Sequence, residues 1–339
     1  MIKKDNKGGV MENNLKDKIT LLVNSCDTYE DLWTPFFTLL KRYWDPGDIR
    51  IILNTESKAF SFEGLSVECV HPLDRNDPYG KRMLHVLSQV RTPYVIPLLD
   101  DFFLRKEVDL DLICKILQWM DKDPHIVYFN CDCTPTYCAL EENVYPGFRR
   151  LPVGNEYTLN MQAAVWRTEK LLKYWRPDVS PWEWEEFTNL NAARNKTDKF
   201  YCVADPKYAF CDYGYCLKGM GVHHGKWVKE DVVPLFEKEG ISVDFSKRGF
   251  LEYADHTPAA VGLRSSLKTI KMSSQSIRKW LGKKDALRYA CFVKTNPVLR
   301  LSRYTPEFLY VKYSLAKEQK KFSKMNDIRQ KFFSKRKRG

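Results

Sequence analysis

Apolar runs of strand length alternate along the first 240 residues with segments whose apolar side chains recur at helical spacing. The runs that predict strands are 19–27, 48–54, 67–70, 94–99, 126–129, 162–166 and 200–203. The segments that predict helices are 28–43, 79–91, 109–120, 168–174, 181–187 and 229–238. This alternation is typical of an α/β fold, with a mostly parallel sheet and helices on both of its faces.

One of these runs, 94–99, is followed directly by two acids, Asp100 and Asp101. Adjacent carboxylates repel each other and are costly to bury, so packing alone does not account for them. At the carboxyl end of a parallel strand they would face the crevice in which open α/β sheets bind ligands. The pair therefore indicates a site for a cation, a ribose or a metal-bound diphosphate, with a strand end and helix cap as the alternative.

The segment Ser180-Pro181-Trp182-Glu183 has the pattern of a helix start. Ser at the N-cap, Pro at the first helical position and Glu at the third form a capping box, so Glu183 is assigned to the cap. By contrast, the turn 24–28 after the first strand has no glycine. Its backbone is therefore unsuited to the close phosphate approach that dinucleotide-binding folds and P-loops require.

The positive charge is concentrated at the C-terminus. Of a net charge of +12, residues 317–339 carry +8, from ten basic and two acidic side chains. The apolar residues of this segment gather on one face of a helix. They are Phe322, Met325, Ile328, Phe332 and Phe333. Such a helix is typical of binding to the headgroups of an anionic bilayer, with a solvated or nucleic-acid-binding tail as the alternative.

The remaining composition limits the cellular setting. No window approaches the ~18 uninterrupted apolar residues of a membrane span, and no apolar region of a signal peptide follows the basic segment 1–7. The cysteines at 131–138 and 202–216 contain no C-x-x-C pair, which favours free thiols over a zinc site. We therefore expect a cytoplasmic protein, with peripheral binding at the inner face of the plasma membrane.

Four segments together resemble the GT-A glycosyltransferase fold, most closely the family 2-like enzymes of bacterial capsule and lipopolysaccharide synthesis. They are 23–27 (VNSCD), 51–54 (IILN), 94–101 (YVIPLLDD) and 180–185 (SPWEWE). The resemblance implies an inverting transferase that moves a sugar from a nucleotide-sugar donor, a UDP-sugar first of all, to a glycan or lipid-linked acceptor. The expected parts are a disordered N-terminus (1–17), a GT-A-like catalytic domain (18–240), a peripheral C-terminal region (241–316) and a basic amphipathic, helical tail (317–339).

The resemblance also implies which residues bind the donor. The ends of the first two strands would hold the nucleotide, a role that falls to Ser25, Asp27, Asn54 and Glu56. Asp100 and Asp101 match the acidic D-x-D motif, in which Asp100 contacts the nucleotide sugar and Asp101 binds Mg²⁺ or Mn²⁺ with the diphosphate oxygens. Asp100-Asp101-Phe102 lacks the second acid of that spacing, so a catalytically inactive relative is an alternative.

A catalytic base is implied at the start of the helix under the acceptor site, because inverting transfer requires deprotonation of the acceptor hydroxyl. With Glu183 assigned to the capping box, Glu185 and Glu186 remain as candidates. Glu185 is preferred because the resembling pattern ends in Trp-x-Trp-Glu. A solvated helix face is the alternative for both residues.

Basic side chains that could act on the diphosphate occur in two places. His224 and Lys226 lie in the Gly-rich loop 219–227, and such loops can fold over a diphosphate, with His as a metal ligand and Lys offsetting the leaving-group charge. Lys81 and Arg82 lie near a helix start, from which they could approach phosphates. An exposed loop and a solvated helix face are the respective alternatives.

A different class of function remains as the alternative for the whole chain. A non-enzymatic nucleic-acid-binding protein would use the basic C-terminus. The predicted α/β core, however, has acids and no basic clusters at its strand ends, which favours the transferase and makes nucleic acid an unexpected partner.

Overall fold

The structure, a computed structural model, describes residues 15–131, 145–151, 159–195, 197–204, 206–213 and 220–251. Most of the expected C-terminal region and the whole basic tail, with residues 1–14, lie outside the described residues. Leu15 is buried in the core. Beyond residue 240, the same core is contacted by Ile241, Val243, Phe245 and Phe250.

The elements follow each other as the apolar pattern predicts. In chain order, the strands are β1 (Ile19–Asn24), β2 (Ile51–Asn54), β3 (Val67–Val70), β4 (Tyr94–Leu99), β5 (Ile126–Asn130), β6 (Phe148–Arg150), β7 (Ala164–Arg167), β8 (Lys199–Val203), β9 (Val222–His223) and β10 (Lys226–Trp227). The α-helices are α1 (Glu30–Tyr43), α2 (Tyr79–Ser88), α3 (Leu110–Lys122), α4 (Thr168–Tyr174), α5 (Pro181–Arg194) and α6 (Lys229–Glu239). Short 3₁₀ helices lie at Asp27–Tyr29, Pro206–Tyr208 and Phe245–Lys247.

The central sheet has the strand order β3-β2-β1-β4-β7-β5-β8-β6. β7 runs antiparallel to β4 and β5, and β6 runs antiparallel to β8. The other neighbouring strands are parallel. The predicted α/β class, with a mostly parallel sheet flanked by helices, is confirmed.

Helices cover both faces of this sheet, which is why its central strands are continuously apolar. In β1, Leu21 and Val23 belong to the core under α1, α3 and α6, whereas Leu22 belongs to the core under α2, α4 and α5. All six residues of β1 are buried as a result. In the part of the chain that the structure describes, no helix is both long enough and apolar enough to cross a bilayer.

Two segments outside the predicted strand runs also contain strands. β6 lies in the region 130–160 and pairs with β8. β9 and β10 form a hairpin whose turn is His224-Gly225. Both turn residues have positive φ, 52° and 78°, which is the geometry of a two-residue type I′ hairpin turn.

The strand order places a ligand crevice at a defined point. The chain runs from β1 outward to β2 and β3 and then returns to β4 on the other side of β1. The carboxyl ends of β1 and β4 therefore form the topological switch point, where open α/β sheets bind ligands. Asn24 is in register with both Asn54 and Leu99, so the residues that follow β1, β2 and β4 lie along one edge.

Candidate functional site

The acidic pair lies at this switch point. Ser25, directly after β1, donates its hydroxyl hydrogen bond to the carboxylate of Asp100, directly after β4. Trp33 of α1 in turn donates from Nε1 to Ser25 Oγ at 2.6 Å. Asp100 is only 4% exposed. The two strand ends that flank the crevice are thus joined by a chain of hydrogen bonds.

The surroundings of the acidic pair disfavour the ionised forms of both carboxyl groups. Burial, and then the charge of Asp101, raise the pKa of Asp100 well above its usual range. Burial raises the pKa of Asp101 to about 7, although the charge of Arg248 acts in the opposite direction. Because desolvation disfavours both carboxylates, a cation bound beside them would favour their ionised forms.

Asp27 and Glu56 join the loop after β1 to the loop after β2. Asp27 Oδ1 accepts from the backbone N–H groups of Glu56, Ser57 and Lys58 at 3.1, 3.0 and 3.1 Å. Burial acts against the ionised form, but these bonds and that from the Ser57 hydroxyl hold the pKa of Asp27 at about 2. Glu56 Oε2 accepts from Asp27 N at 2.5 Å. Both carboxylates therefore shape the wall of the crevice.

Arg82 and Lys81 have different surroundings. Arg82 forms an ion pair with Glu56 and lies over the ring of Tyr79, with 5.4 Å between its Cζ and the ring centroid. Lys81 pairs with Asp77 at 2.6 Å, and its side chain is 54% exposed. The structure thus brings Arg82 to the wall formed by Asp27 and Glu56, and Lys81 to the solvated face of α2.

Asn54 lies at the end of β2 and is buried. Its Nδ2 donates to Asn24 Oδ1 at 3.3 Å. Within the described residues, Asn54 Oδ1 and Asn24 Nδ2 are buried without a hydrogen-bond partner. An unpaired buried polar atom costs about 1–3 kcal/mol, so the end of β1 holds a donor and the end of β2 an acceptor that a ligand could satisfy.

The third acidic side chain lies on α5. The predicted capping box is present, because Ser180 N donates to Glu183 Oε2 at 2.9 Å and Glu183 N donates to Ser180 Oγ at 3.2 Å. Glu185 Oε1 accepts from Met161 N at 2.8 Å. Burial raises the pKa of Glu185 to about 7 in spite of that bond. The side chain of Glu186 lies outside the described residues.

Tyr79 links the start of α2 to the tryptophans beside Glu185. Its ring packs against Trp175 with centroids 5.7 Å apart, and Trp175 stacks on Trp184, the neighbour of Glu185, at 4.8 Å. Burial raises the pKa of Tyr79, the charge of Arg82 lowers it, and the charges of Glu185 and Asp100 raise it further. Tyr79 therefore packs between the start of α2 and the tryptophans beside Glu185.

The hairpin β9–β10 is anchored beside the acidic pair. Gly221 N donates to Asp101 O at 2.6 Å. A Cβ on Gly221 would lie 2.2 Å from the ring of Phe103, so this close approach requires glycine. His224 and Lys226 are both exposed on the hairpin. Their predicted roles at the diphosphate stay predictions.

Arg248 closes the same side of the crevice. It binds both carboxylate oxygens of Asp31, at 2.5 and 2.7 Å, and donates to Thr28 O at 2.6 Å. Its guanidinium lies over the ring of Tyr29, 4.4 Å from the centroid. Beside it a cavity of about 620 Å³ opens, a size typical of ligand sites. Its walls are formed by Asp27, Thr28, Glu30, Asp31, Lys58, Gly225, Lys247 and Arg248.

Comparisons with known proteins found similar solved structures and no matching family. No protein-family model and no curated protein matches the chain. Solved structures that are similar include S. aureus TarS 1–349 in complex with UDP, at 12% identity and a TM-score of 0.40, covering 90% of this chain and 91% of that one. The mannosyltransferase PcManGT from Pyrobaculum calidifontis, in complex with GDP-Man and Mn²⁺, is similar at 12% identity and a TM-score of 0.39, covering 90% and 86%.

In other TarS structures the match covers only 61% or 47% of the TarS chain. At these identities and TM-scores the likeness carries no weight in assigning function, which is argued below from the residues of this chain.

A divalent metal fits this site only as an ion shared between protein carboxylates and a bound ligand. In the described ranges, no three His, Cys, Asp or Glu side chains come together as a metal site. Asp101 and Asp100 nevertheless provide adjacent carboxylates at the crevice, and Mg²⁺ commonly binds one or two carboxylates together with substrate phosphates. The donor set therefore fits an ion shared with a diphosphate, and does not form a closed protein cage.

Sequence analysis did not identify Arg248, Tyr79 or Trp33 as site residues. Arg248 reaches the crevice from a segment with a weak pattern, and its contacts with Asp31 are non-local, so no sequence signal indicates it. Tyr79 lies two residues before Lys81, at the start of the predicted helix, where an aromatic side chain facing the strand ends could have been considered.

Proposed function

We propose that this chain is a glycosyltransferase that moves a sugar from a nucleotide-sugar donor to a glycan or lipid-linked acceptor. The observation that carries the proposal is the acidic pair at the switch point, in which Asp100 is buried and Asp101 is half-buried, joined to the end of β1 through Ser25. Two desolvated carboxylates at this edge favour a ligand that brings a cation, as a metal-bound diphosphate does. A nucleic-acid-binding surface is basic, so this acidic pair does not fit that alternative.

The donor would lie across the ends of β1, β2 and β4. Ser25 and the unpaired amide atoms of Asn24 and Asn54 offer hydrogen bonds to the nucleoside, and Asp100 offers its carboxylate to the ribose. Mg²⁺ or Mn²⁺, held by Asp101 and, in the proposal, His224, would neutralise the charge that develops on the diphosphate. Arg82 and Lys226 are the cations that we assign to the phosphates, whereas Lys81 stays with Asp77.

Glu185 is the group that we assign as base. A carboxyl with a pKa of about 7 is a stronger base than an exposed one and is still largely ionised slightly above neutral pH. It would take the proton of the acceptor hydroxyl while the acceptor oxygen bonds to the anomeric carbon. The bond from that carbon to the diphosphate oxygen breaks on the opposite face, and the nucleotide leaves with the bonding electrons, so the configuration inverts.

The setting of the reaction is also a proposal. The acceptor chemistry of the resembling enzymes and the basic tail 317–339 together favour work at the inner face of the plasma membrane. The apolar stripe of that tail would bind headgroups, which would keep the enzyme near lipid-linked acceptors.

Ligand-induced thermal stabilisation tests the donor site. UDP, GDP, CMP and dTDP are each added with and without Mn²⁺, and an oligonucleotide is added in parallel. We expect one nucleotide to stabilise the wild-type chain, to stabilise Lys81→Ala equally, and to have little effect on Asp101→Ala. Stabilisation by the oligonucleotide alone would support the nucleic-acid-binding alternative and contradict the proposal.

A further inference from the structure

Trp182 is exposed to solvent, whereas two nearby tryptophans in the chain are buried. Its side chain is 68% exposed, whereas Trp184 is 1% and Trp175 is 5% exposed. A large apolar side chain in water contributes little to folding. It is also the residue type that most often dominates binding surfaces. Packing therefore does not explain why an indole stands here.

The geometry of α5 places Trp182 on the outer side of Glu185. At ~100° per residue, Trp182 points ~160° away from the core residue Trp184. Glu185 lies ~100° from Trp184 and ~60° from Trp182, at the boundary between core and solvent. The capping box of Ser180 and Glu183 fixes this first turn. The exposed indole therefore lies next to Glu185 on the solvent side of the helix.

The same end of α5 borders the crevice. Helical side chains tilt toward the N-terminus, so Trp182 leans toward the loop before α5. In that loop Val179 O accepts from Gly80 N at 2.9 Å, which joins it to the start of α2. Tyr79, the neighbour of Gly80, is acted on by the charges of Asp100 and Glu185. Trp182 thus lies at the outer end of the contact between α5 and the start of α2, the helix whose Arg82 pairs with Glu56 at the crevice wall.

We propose that Trp182 is a binding platform for a pyranose ring of the acceptor. The axial C–H groups of such a ring stack on the electron-rich indole face, while its hydroxyls stay in water or point toward Glu185. The inference rests on the proposed function and deepens it, because it makes the acceptor a carbohydrate with an apolar ring face. An open-chain polyol or a peptide does not offer that face.

The direct test is NMR of the full chain with ¹⁵N-labelled tryptophan. The Nε1–H signal of Trp182 is assigned by its absence from Trp182→Phe. Methyl α- and β-glycosides of glucose, galactose, mannose and N-acetylglucosamine are titrated to 50 mM, with sorbitol as the open-chain control. We expect at least one glycoside to shift the Trp182 signal saturably and sorbitol to leave it unchanged. No shift with any glycoside would overturn the inference.

Kinetics provide the second test once an acceptor is in hand. Trp182→Ala should raise KM for the acceptor about tenfold, equivalent to about 1.4 kcal/mol, with donor KM and donor hydrolysis unchanged. Trp182→Phe should recover part of the loss. Leu73→Ala, which truncates another exposed apolar side chain (80% exposed), should have no effect. An acceptor KM within twofold of wild type in Trp182→Ala would contradict the platform.

The two proposals fail in distinguishable ways. If a nucleotide stabilises the chain but no glycoside shifts Trp182, the transferase stands and the platform is refuted. If a glycoside shifts Trp182 but no nucleotide binds, the surface is a carbohydrate site without the donor chemistry, and the proposed function is refuted.

Discussion

Glu185→Gln separates the catalytic effect of this carboxyl from its effect on stability. Gln keeps the shape of the side chain and an oxygen that can accept the hydrogen bond from Met161 N, which is 2.8 Å long in the wild type. It cannot take a proton from the acceptor. We therefore expect turnover to fall by ~10²-fold or more, the scale of losing a general base, while donor binding changes little.

The same variant should gain stability relative to wild type as the pH rises. Burial raises the pKa of Glu185 from 4.5 to about 7. Between these values the native state holds a proton that the unfolded state has lost, so the free energy of unfolding falls as pH rises. At about 1.4 kcal/mol per pH unit, wild type loses about 3 kcal/mol between pH 4 and pH 8 through this group. The Gln variant does not, so its stability relative to wild type should rise by that amount.

Urea unfolding of the full chain at several pH values, with donor turnover at pH 8, measures both effects. Glu183→Gln is the matched control, because Gln can also accept the capping hydrogen bond from Ser180 N and should leave turnover and stability near wild type. A stability difference between Glu185→Gln and wild type that does not change with pH would refute the burial argument. Loss of turnover in Glu186→Gln but not in Glu185→Gln would assign the role of base to Glu186.

Four further variants test other parts of the account. Asp101→Ala should abolish transfer with an unchanged circular dichroism spectrum, and turnover near wild type would show that the cation site is misplaced. Arg248→Ala should lower the free energy of unfolding by about 3 kcal/mol because it leaves the largely buried carboxylate of Asp31 without its cation. Lys81→Ala breaks an ion pair of an exposed lysine and should lower the free energy of unfolding by less than about 1 kcal/mol. A loss equal to that of Arg248→Ala would contradict this reasoning. Gln at all four positions of 335–338 should weaken co-sedimentation with anionic vesicles, with each basic residue near the surface contributing about 1 kcal/mol, and unchanged binding would refute the membrane role of the tail.

The parts of the fold that could be predicted are those with a local physical signal. The continuous apolar run of β4 reflects a strand buried on both faces, and the acids that follow it are conspicuous because burial penalises them. The capping box at Ser180 and Glu183 is likewise a local pattern of hydrogen bonds, and the structure contains it. These features gave the α/β class, the start of α5 and the position of the acidic pair.

The parts that could not be predicted depend on contacts between distant segments. β7 enters the sheet antiparallel between β4 and β5, a choice set by tertiary packing that its apolar run does not reveal. The carboxylate of Asp27 is directed into the loop after β2, and Arg248 reaches Asp31 from the far end of the described chain. The spacing of residues along the sequence predicts neither of these two contacts.

Donor turnover by the purified full chain tests the central claim most directly. UDP-, GDP-, CMP- and dTDP-sugars are incubated with the chain, with and without Mn²⁺, and the released nucleotide is measured for wild type and Asp101→Ala. The account predicts that wild type consumes one class of donor at least ~10²-fold faster than Asp101→Ala does, the scale expected for losing one electrostatic group of an active site. Equal consumption by the two proteins, or no consumption of any donor by wild type, would contradict it.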